Sequence, residues 1–518
     1  MPFMKRHLAF LTILFCVFQD TSTARPRPKL LVAIVIDQFR YDYLLRFRSD
    51  YHAGLARLLD HGAVLTDAHL QHIPTVTAIG HSTFLSGATP SLSGIVGNEW
   101  YERESKQSVT SVQDDSVQEI GGIPGKTAAS PHRLLVSTLP DEIKMSGQHT
   151  KTIGISIKDR GAILPAGHMA DAAYWFENDS NTWVTSSYYV KELPQWVQDV
   201  NATRPAFKIL GESWSPLEGG KPFCTMVSGA DIRYCGSLEA TPWGNEMIET
   251  LAEQAIKGEQ LGQHDGTDVL AVSFSSNDYI GHAVGPDSPE VRDISIRTDR
   301  LLGKFLDYVD QQVGPANALV VLTSDHGVAP IPEVNQERKM PGGRLSPNRI
   351  SEHLMQALTT KYGAGKWLDS FGASVYLNQD LIRSKNLNPA EVEDFAADIL
   401  RPVPHIFRVY TRHQLMNGNV PADAISRAAT NGFYPQRSGD LTVIPEGYYL
   451  FDPPPGTSHG LPFNYDTHVP LIFFGPGIKP GRYTTPVAAN DIAPTLAELL
   501  GVEQPSGSVG RVLSEIIE

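Results

Sequence analysis

Three apolar runs in this chain end in a carboxylate. Leu30–Ile36 leads into Asp37, Val269–Ser276 into Asn277-Asp278, and Ala318–Leu322 into Thr323-Ser324-Asp325-His326. Such runs suit strands covered on both faces, as in a parallel sheet flanked by helices. Open α/β sheets place their ligand crevice at the carboxyl ends of the strands, so the three acids are expected on one edge. Carboxylates that converge repel one another and do not all ionise without cations.

The segments between these runs fit that architecture. A helix is expected over Tyr41–Leu59, a strand over Thr152–Ile157 and a helix over Asn245–Lys257. Ser288 followed by Pro289 is a helix start, with Ser as N-cap and Pro at the first helical position. Val291, Ile294, Leu301, Leu302, Phe305 and Val309 give the helix that follows an apolar face. Val469–Phe474 reads as the last strand, and the closing helix ends at Gly501. Strand–helix alternation of this kind predicts an α/β fold with a mostly parallel sheet and helices on both faces. The 518 residues, 41% of them hydrophobic, also leave room for insertions. One is expected over residues 172–243, a cap holding five of the seven tryptophans. A second is expected over residues 330–449, with helices near Ile350–Leu358 and Pro389–Leu400.

Residues 1–24 carry a basic start, an apolar run over Leu8–Phe18 and small residues at Thr21–Ala24, the pattern of a cleaved export signal. The run is short for a transmembrane span, and no later segment suits one, so stable membrane insertion is not expected. The mature chain is expected to be periplasmic or secreted. Its two remaining cysteines, Cys224 and Cys235, are then candidates for a local disulfide. A formal net charge of -14 argues against nucleic acid as a partner.

Histidines accompany two of the acids. His282 lies four residues after Asp278, on the same face of a helical turn, and His326 adjoins Asp325. Asp/His ligation fits zinc better than calcium. Neighbouring strand residues point to opposite faces, so Asp325 and His326 share a site only if the chain turns, and Gly327 suits such a turn. Lys158 and Arg160 follow another core strand; on an extended end both cations face one way and could bind phosphoryl oxygens. His72, His81 and His168 read as structural.

The set Ile36-Asp37, Pro74–Gly87, Gly97-Asn98, Lys158-Asp159-Arg160, Asn277–His282, Thr323–Gly327 and Gly456–Gly460 resembles the alkaline phosphatase superfamily. Within it the chain looks like the PafA-type secreted phosphate monoesterases, related to nucleotide pyrophosphatase/phosphodiesterases. The resemblance runs in order from Leu30 to the carboxyl terminus. It implies two zinc ions, one held by Asp278, His282 and His459, the other by Asp37, Asp325, His326 and Thr77. It also implies Thr77 as nucleophile, preferred to Thr75, with Asn98, Lys158 and Arg160 on the phosphoryl oxygens. His459 is preferred to His468 because its Gly-Thr-Ser-His-Gly loop matches the family pattern. The implied activity is alkaline phosphatase action on phosphate monoesters through a phosphothreonine intermediate; the oligomeric state is left open by the sequence, with a monomer favoured. Two zinc ions, Lys158 and Arg160 against three carboxylates and an alkoxide leave about +2, which suits a monoester dianion. A phosphodiesterase of the same superfamily is the alternative. A metal-stabilised binding protein is a more distant one, and no Cys-x-Pro-x-Arg sulfatase motif is present.

Overall fold

The computed structural model describes residues 27–226 and 235–518, so the expected export signal lies outside the described residues. Eleven strands build the central sheet: β1 (Leu30–Ile36), β2 (Ala63–Leu65), β3 (Gln113–Ile120), β4 (Thr127–Ala129), β5 (Thr152–Ser156), β6 (Ala172–Glu177), β7 (Thr182–Ser186), β8 (Asp268–Phe274), β9 (Ala318–Thr323), β10 (Leu471–Phe474) and β11 (Gly481–Tyr483). Their spatial order is β11-β2-β10-β9-β1-β8-β5-β6-β7-β3-β4. The middle is parallel: β1 pairs with β8 and β9, β8 with β5, and β5 with β6. In register, Val35 pairs with Thr323 and Ile36 with Phe274, so the chain emerges at Asp37, Ser275 and Ser324 along one edge.

The period of two along β1 divides its side chains between two cores. Leu30, Val32, Ile34 and Ile36 pack with Leu251, Leu302 and Phe305 from helices Pro242–Gly258 and Pro289–Val313. Leu31, Ala33 and Val35 pack on the other face with Phe84, Leu85, Ile492 and Leu496, from helices Thr77–Ser86 and Ile492–Leu500. Truncating Ile34 to Ala would cost about 2–5 kcal/mol, because neither layer can move into the space. The expected N-cap is present, with Ser288 Oγ accepting from Val291 N at 3.2 Å.

Three expectations are corrected. Tyr41–Leu59 is not one helix; it breaks into Tyr41–Arg46, a short turn and Gly54–His61. The last of these starts where it does because Asp299, on helix Pro289–Val313, accepts from the backbone N–H of His52, Ala53, Leu55 and Ala56. Second, the aromatic stretch is not an insertion or cap laid over the core but part of it. Its first residues form β6 and β7 of the main sheet, and Trp183 and Trp214 are buried in the same core as β1. Cys224 and Cys235 are joined by a disulfide within it, their Cα atoms 6.1 Å apart. Third, Lys158-Asp159-Arg160 is not extended: Lys158 is the residue before helix Asp159–Ala166.

Residues 330–449 carry a four-stranded antiparallel sheet of their own, in the order Leu368–Ser370, Ser374–Leu377, Leu441–Pro445, Ile406–Thr411. Helices Pro347–Tyr362 and Pro389–Leu400 cover it, and Leu354, Trp367, Val375, Val392 and Leu441 form a separate core. The two ends of this excursion are stitched at its root. Ala329 N donates to Ser458 O at 3.1 Å, and Thr457 Oγ1 donates to Ala329 O at 2.7 Å.

Candidate active site

At the carboxyl edge of the parallel strands the three acids meet. Asp37 follows β1, Asp278 lies in the first turn of helix Ser276–Val284 after β8, and Asp325 follows β9; each is almost fully buried. Lys158 Nζ lies 2.6 Å from Asp37 Oδ2 and 2.6 Å from Asp278 Oδ2. That single buried ammonium does not neutralise three carboxylates. Asp37 Oδ1 and Asp325 Oδ2 are buried without a hydrogen-bond partner, an arrangement that costs free energy unless a cation completes it. Burial, then the charge of Asp325, pushes the Asp37 carboxyl well above its usual range against the pull of Lys158. Asp278 is opposed by burial too, yet Lys158 and His282 hold it well below.

Three imidazoles close the cluster. His282 Nδ1 meets Thr457 O at 2.8 Å, His326 Nδ1 meets Gly327 O at 2.9 Å, and His459 Nδ1 meets Thr75 O at 2.7 Å. A carbonyl accepts only from a protonated nitrogen, so each Nδ1 carries the hydrogen and each Nε2 lone pair is turned to the acids. Burial keeps His326 and His459 below the usual histidine range. His282 is held up by Asp278 in spite of burial, its Nε2 being 3.1 Å from Asp278 Oδ1 at the expected one-turn spacing.

The donor atoms fall into two groups, each within 4.8 Å: Asp37, Asp325 and His326, and Asp278, His326 and His459. The ring planes separate the second group further. His326 and His459 stack with centroids 3.5 Å apart and planes at 14°, so their in-plane lone pairs run side by side and do not meet at one point. That geometry fits two neighbouring cations, which two-metal sites hold about 3.5–4 Å apart. Carboxylate and imidazole donors of this kind fit zinc or a similar first-row ion.

Thr77 is the first residue of helix Thr77–Ser86, with Oγ1 3.4 Å from His326 Nε2. Gly80 lets this helix lie against β9, because a Cβ there would collide with the Asp325 backbone. Asn98 Oδ1 accepts from Ala78 N at 2.8 Å, which leaves its amide N–H groups for another acceptor. Arg160 makes no ion pair with the three acids, and its buried Nε has no partner. Asp325 and His326 share a site because the chain leaves strand geometry at Ser324 and bends at Asp325. Gly327 serves a different end from the expected turn: a Cβ there would strike the Tyr465 carbonyl.

Residues 31–461 match the family described as Type I phosphodiesterase / nucleotide pyrophosphatase. The chain belongs to that family. Among its relatives, alkaline phosphatase PafA of Elizabethkingia meningoseptica is 35% identical over 96% of both chains. Alkaline phosphatase PhoV of Synechococcus elongatus is 35% identical over 95% of this chain and 93% of its own. The wild-type PafA crystal structure superposes with a TM-score of 0.89 at 34% identity, covering 96% of this chain and all of that one.

Several residues of this type I phosphodiesterase family member escaped the sequence reading. Gln38, at φ 60°, donates from Nε2 to Asp278 Oδ1 at 2.6 Å and from its backbone to Asp325 Oδ1 at 3.1 Å. His81, read as structural, lies beneath the cluster with Nδ1 3.3 Å from Asp325 Oδ2 and bonded to Thr77 O. Asp466 accepts from Gly460 N and Leu461 N and so ties down the loop bearing His459. His81 lies within the Pro74–Gly87 motif, one helical turn after Thr77, and Gln38 directly follows Asp37, so local signals for these two were present, whereas Asp466 lies outside every motif. The rival side chains have other partners: Thr75 Oγ1 donates to Leu461 O, and His468 Nε2 meets Thr66 O. His168 is held by Leu134 O and Asp141.

Proposed function

We propose that this chain is an alkaline phosphatase that hydrolyses phosphate monoesters with two zinc ions and a phosphothreonine intermediate at Thr77. The observation that carries the reading is a buried cluster with more carboxylate charge than its own cations neutralise, with the Thr77 hydroxyl at its margin. The alkaline phosphatase names of two relatives that match along nearly their whole length support the monoester class. Asp37, Asp325, His326 and Thr77 would hold one ion, and Asp278, His282 and His459 the other. When bound, such ions lower the pKa of a coordinated hydroxyl and stabilise charge on a leaving oxygen.

The chain's own groups supply the rest. Thr77 Oγ1 attacks phosphorus as the ester oxygen departs on the opposite side, and water later cleaves the Thr77 O–P bond to release phosphate. Thr77 opens a helix of ten residues, whose positive end favours the anionic phosphoryl group. The Asn98 amide and the cations of Lys158 and Arg160 serve as donors to its non-bridging oxygens. His81 and Gln38 fix Asp325 and Asp278. In this reading the chain is exported by residues 1–24, and every proposed group comes from one chain.

Turnover of an aryl phosphate against its bis-aryl diester tests the proposal. Monoester preference is expected, and Lys158→Ala should lower monoester kcat/KM by about a hundredfold or more while changing diester turnover less. Strong diester preference in the unmodified enzyme, or no effect of Lys158→Ala, would overturn it.

A further inference from the structure

The motif Asn277–His282 contains a large side chain that the chemistry above does not use, Tyr279. It sits in helix Ser276–Val284, turned about 100° around the axis from Asp278. Strand β5 lies beside β8, so Lys158 emerges from the neighbouring strand end next to this helix. The Lys158 ammonium accordingly stands over the Tyr279 ring, with Nζ 5.2 Å from the centroid.

The ammonium thus rests on the Asp37 and Asp278 carboxylates, each at 2.6 Å, and on this ring. An aromatic face carries negative potential, and its attraction for a cation strengthens when the pair is withdrawn from water. Lys158 is only 4% exposed, so the contact is of that desolvated kind. The carboxylates differ from the ring in one respect: both are also proposed metal ligands. Charge that they give to a metal ion is withdrawn from Lys158, whereas the ring face stays with the ammonium. A lysine side chain is a flexible four-carbon stem, so the direction of Nζ depends on what it rests against.

We infer that Tyr279 is a positioning residue for Lys158, its ring face keeping the ammonium turned towards the phosphoryl group when the carboxylates are engaged elsewhere. The inference rests on the hydrolase reading above for the role of Lys158. Tyr279 then governs the preference for phosphate monoesters without itself bonding the substrate.

The experiment measures the unmodified enzyme, Tyr279→Phe and Tyr279→Leu on phenyl phosphate and on diphenyl phosphate, each also in the Lys158→Ala background. With Lys158 present, Tyr279→Leu is expected to lower monoester kcat/KM about tenfold and diester kcat/KM less than threefold. Tyr279→Phe keeps the ring and should stay within about threefold on both. In the Lys158→Ala background the monoester loss from Tyr279→Leu should shrink to less than twofold, because residues that act through one contact are not additive. Binding of inorganic phosphate by calorimetry reads the same contact without turnover. Tyr279→Leu should weaken it at least fivefold while elemental analysis still finds two zinc ions per chain. Equal losses on monoester and diester, an undiminished loss in the Lys158→Ala background, or a Tyr279→Phe loss as large as that of Tyr279→Leu would overturn the inference. So would unchanged phosphate binding or the loss of an ion from Tyr279→Leu. If the unmodified enzyme hydrolyses no monoester while phosphate binding depends on Tyr279 only when Lys158 is present, the hydrolase reading falls and the positioning role stands.

Discussion

His326 stacks on His459 at 3.5 Å, and His468 stacks on His69 at 4.6 Å, each pair beside aspartate. By proximity the two regions are equivalent, since Asp67, His69 and His468 also offer donor atoms within 4.8 Å. Their hydrogen bonding separates them. His69 meets Asp67 through Nε2 at 2.9 Å and Thr467 through Nδ1 at 3.3 Å, while His468 Nε2 meets Thr66 O at 3.1 Å. In the other pair both Nδ1 atoms rest on carbonyls, and the neighbouring carboxylates keep buried oxygens without partners. A cluster of ligand-type residues is thus a structural tie when its own members satisfy it, and a cation site when burial leaves some of them unsatisfied.

Substitution is the sharpest way to break this contrast. Thr77→Ala and His326→Ala are each expected to lower monoester kcat at least a thousandfold, about 4 kcal/mol in barrier. His326→Ala should also reduce zinc content below two ions per chain by elemental analysis, whereas Thr75→Ala should retain most activity. Zinc removal by a chelator comes next in size. It leaves Asp37, Asp278 and Asp325 with Lys158 alone, and the melting temperature should fall on the order of 10 °C and recover when zinc is restored.

A smaller effect concerns the loop that carries His459. Burial raises the Asp466 carboxyl to about 8, above its unfolded value of about 4. The folded chain therefore binds an extra proton between those values, and stability falls as pH rises through that window. Asp466→Asn keeps an acceptor for Gly460 N and Leu461 N and should flatten the slope, leaving the variant a few degrees more stable above pH 8 by thermal melting. Smallest of all are His69→Ala and His468→Ala, expected to leave zinc content at two and kcat/KM within about threefold. Loss of an ion in either variant would erase the distinction between the two pairs.

The sheet and the convergence of acids were legible because a strand covered on both faces must be apolar throughout, and Asp37, Asp278 and Asp325 are conspicuous where such runs stop. The Asp278–His282 pairing followed from helical periodicity. Other features depend on residues distant in the chain. The break before Gly54 is made by Asp299, some 245 positions away. The aromatic stretch lacked helical periodicity and read as a cap, although β6 and β7 add to the sheet. The sheet within residues 330–449 escaped notice because its strands are short, three to six residues long. Gln38 and His81 lie close to Asp37 and Thr77 in the chain, but the acids they meet, Asp278 and Asp325, are brought to them only by tertiary packing.

The stitching of Ala329 to Thr457 and Ser458 makes the 127 residues between Ala329 and Thr457 a closed side loop with a fixed root. Closing such a loop costs little more when it is longer, and it carries a hydrophobic core separate from those that flank the sheet. The excursion can therefore lengthen, shrink or be exchanged while the segment bearing His459 keeps its place. Because that excursion also lines a cleft beside Asn98 and His459, one wall of the cleft can diverge on a module that shares no residue with the carboxylate–histidine cluster.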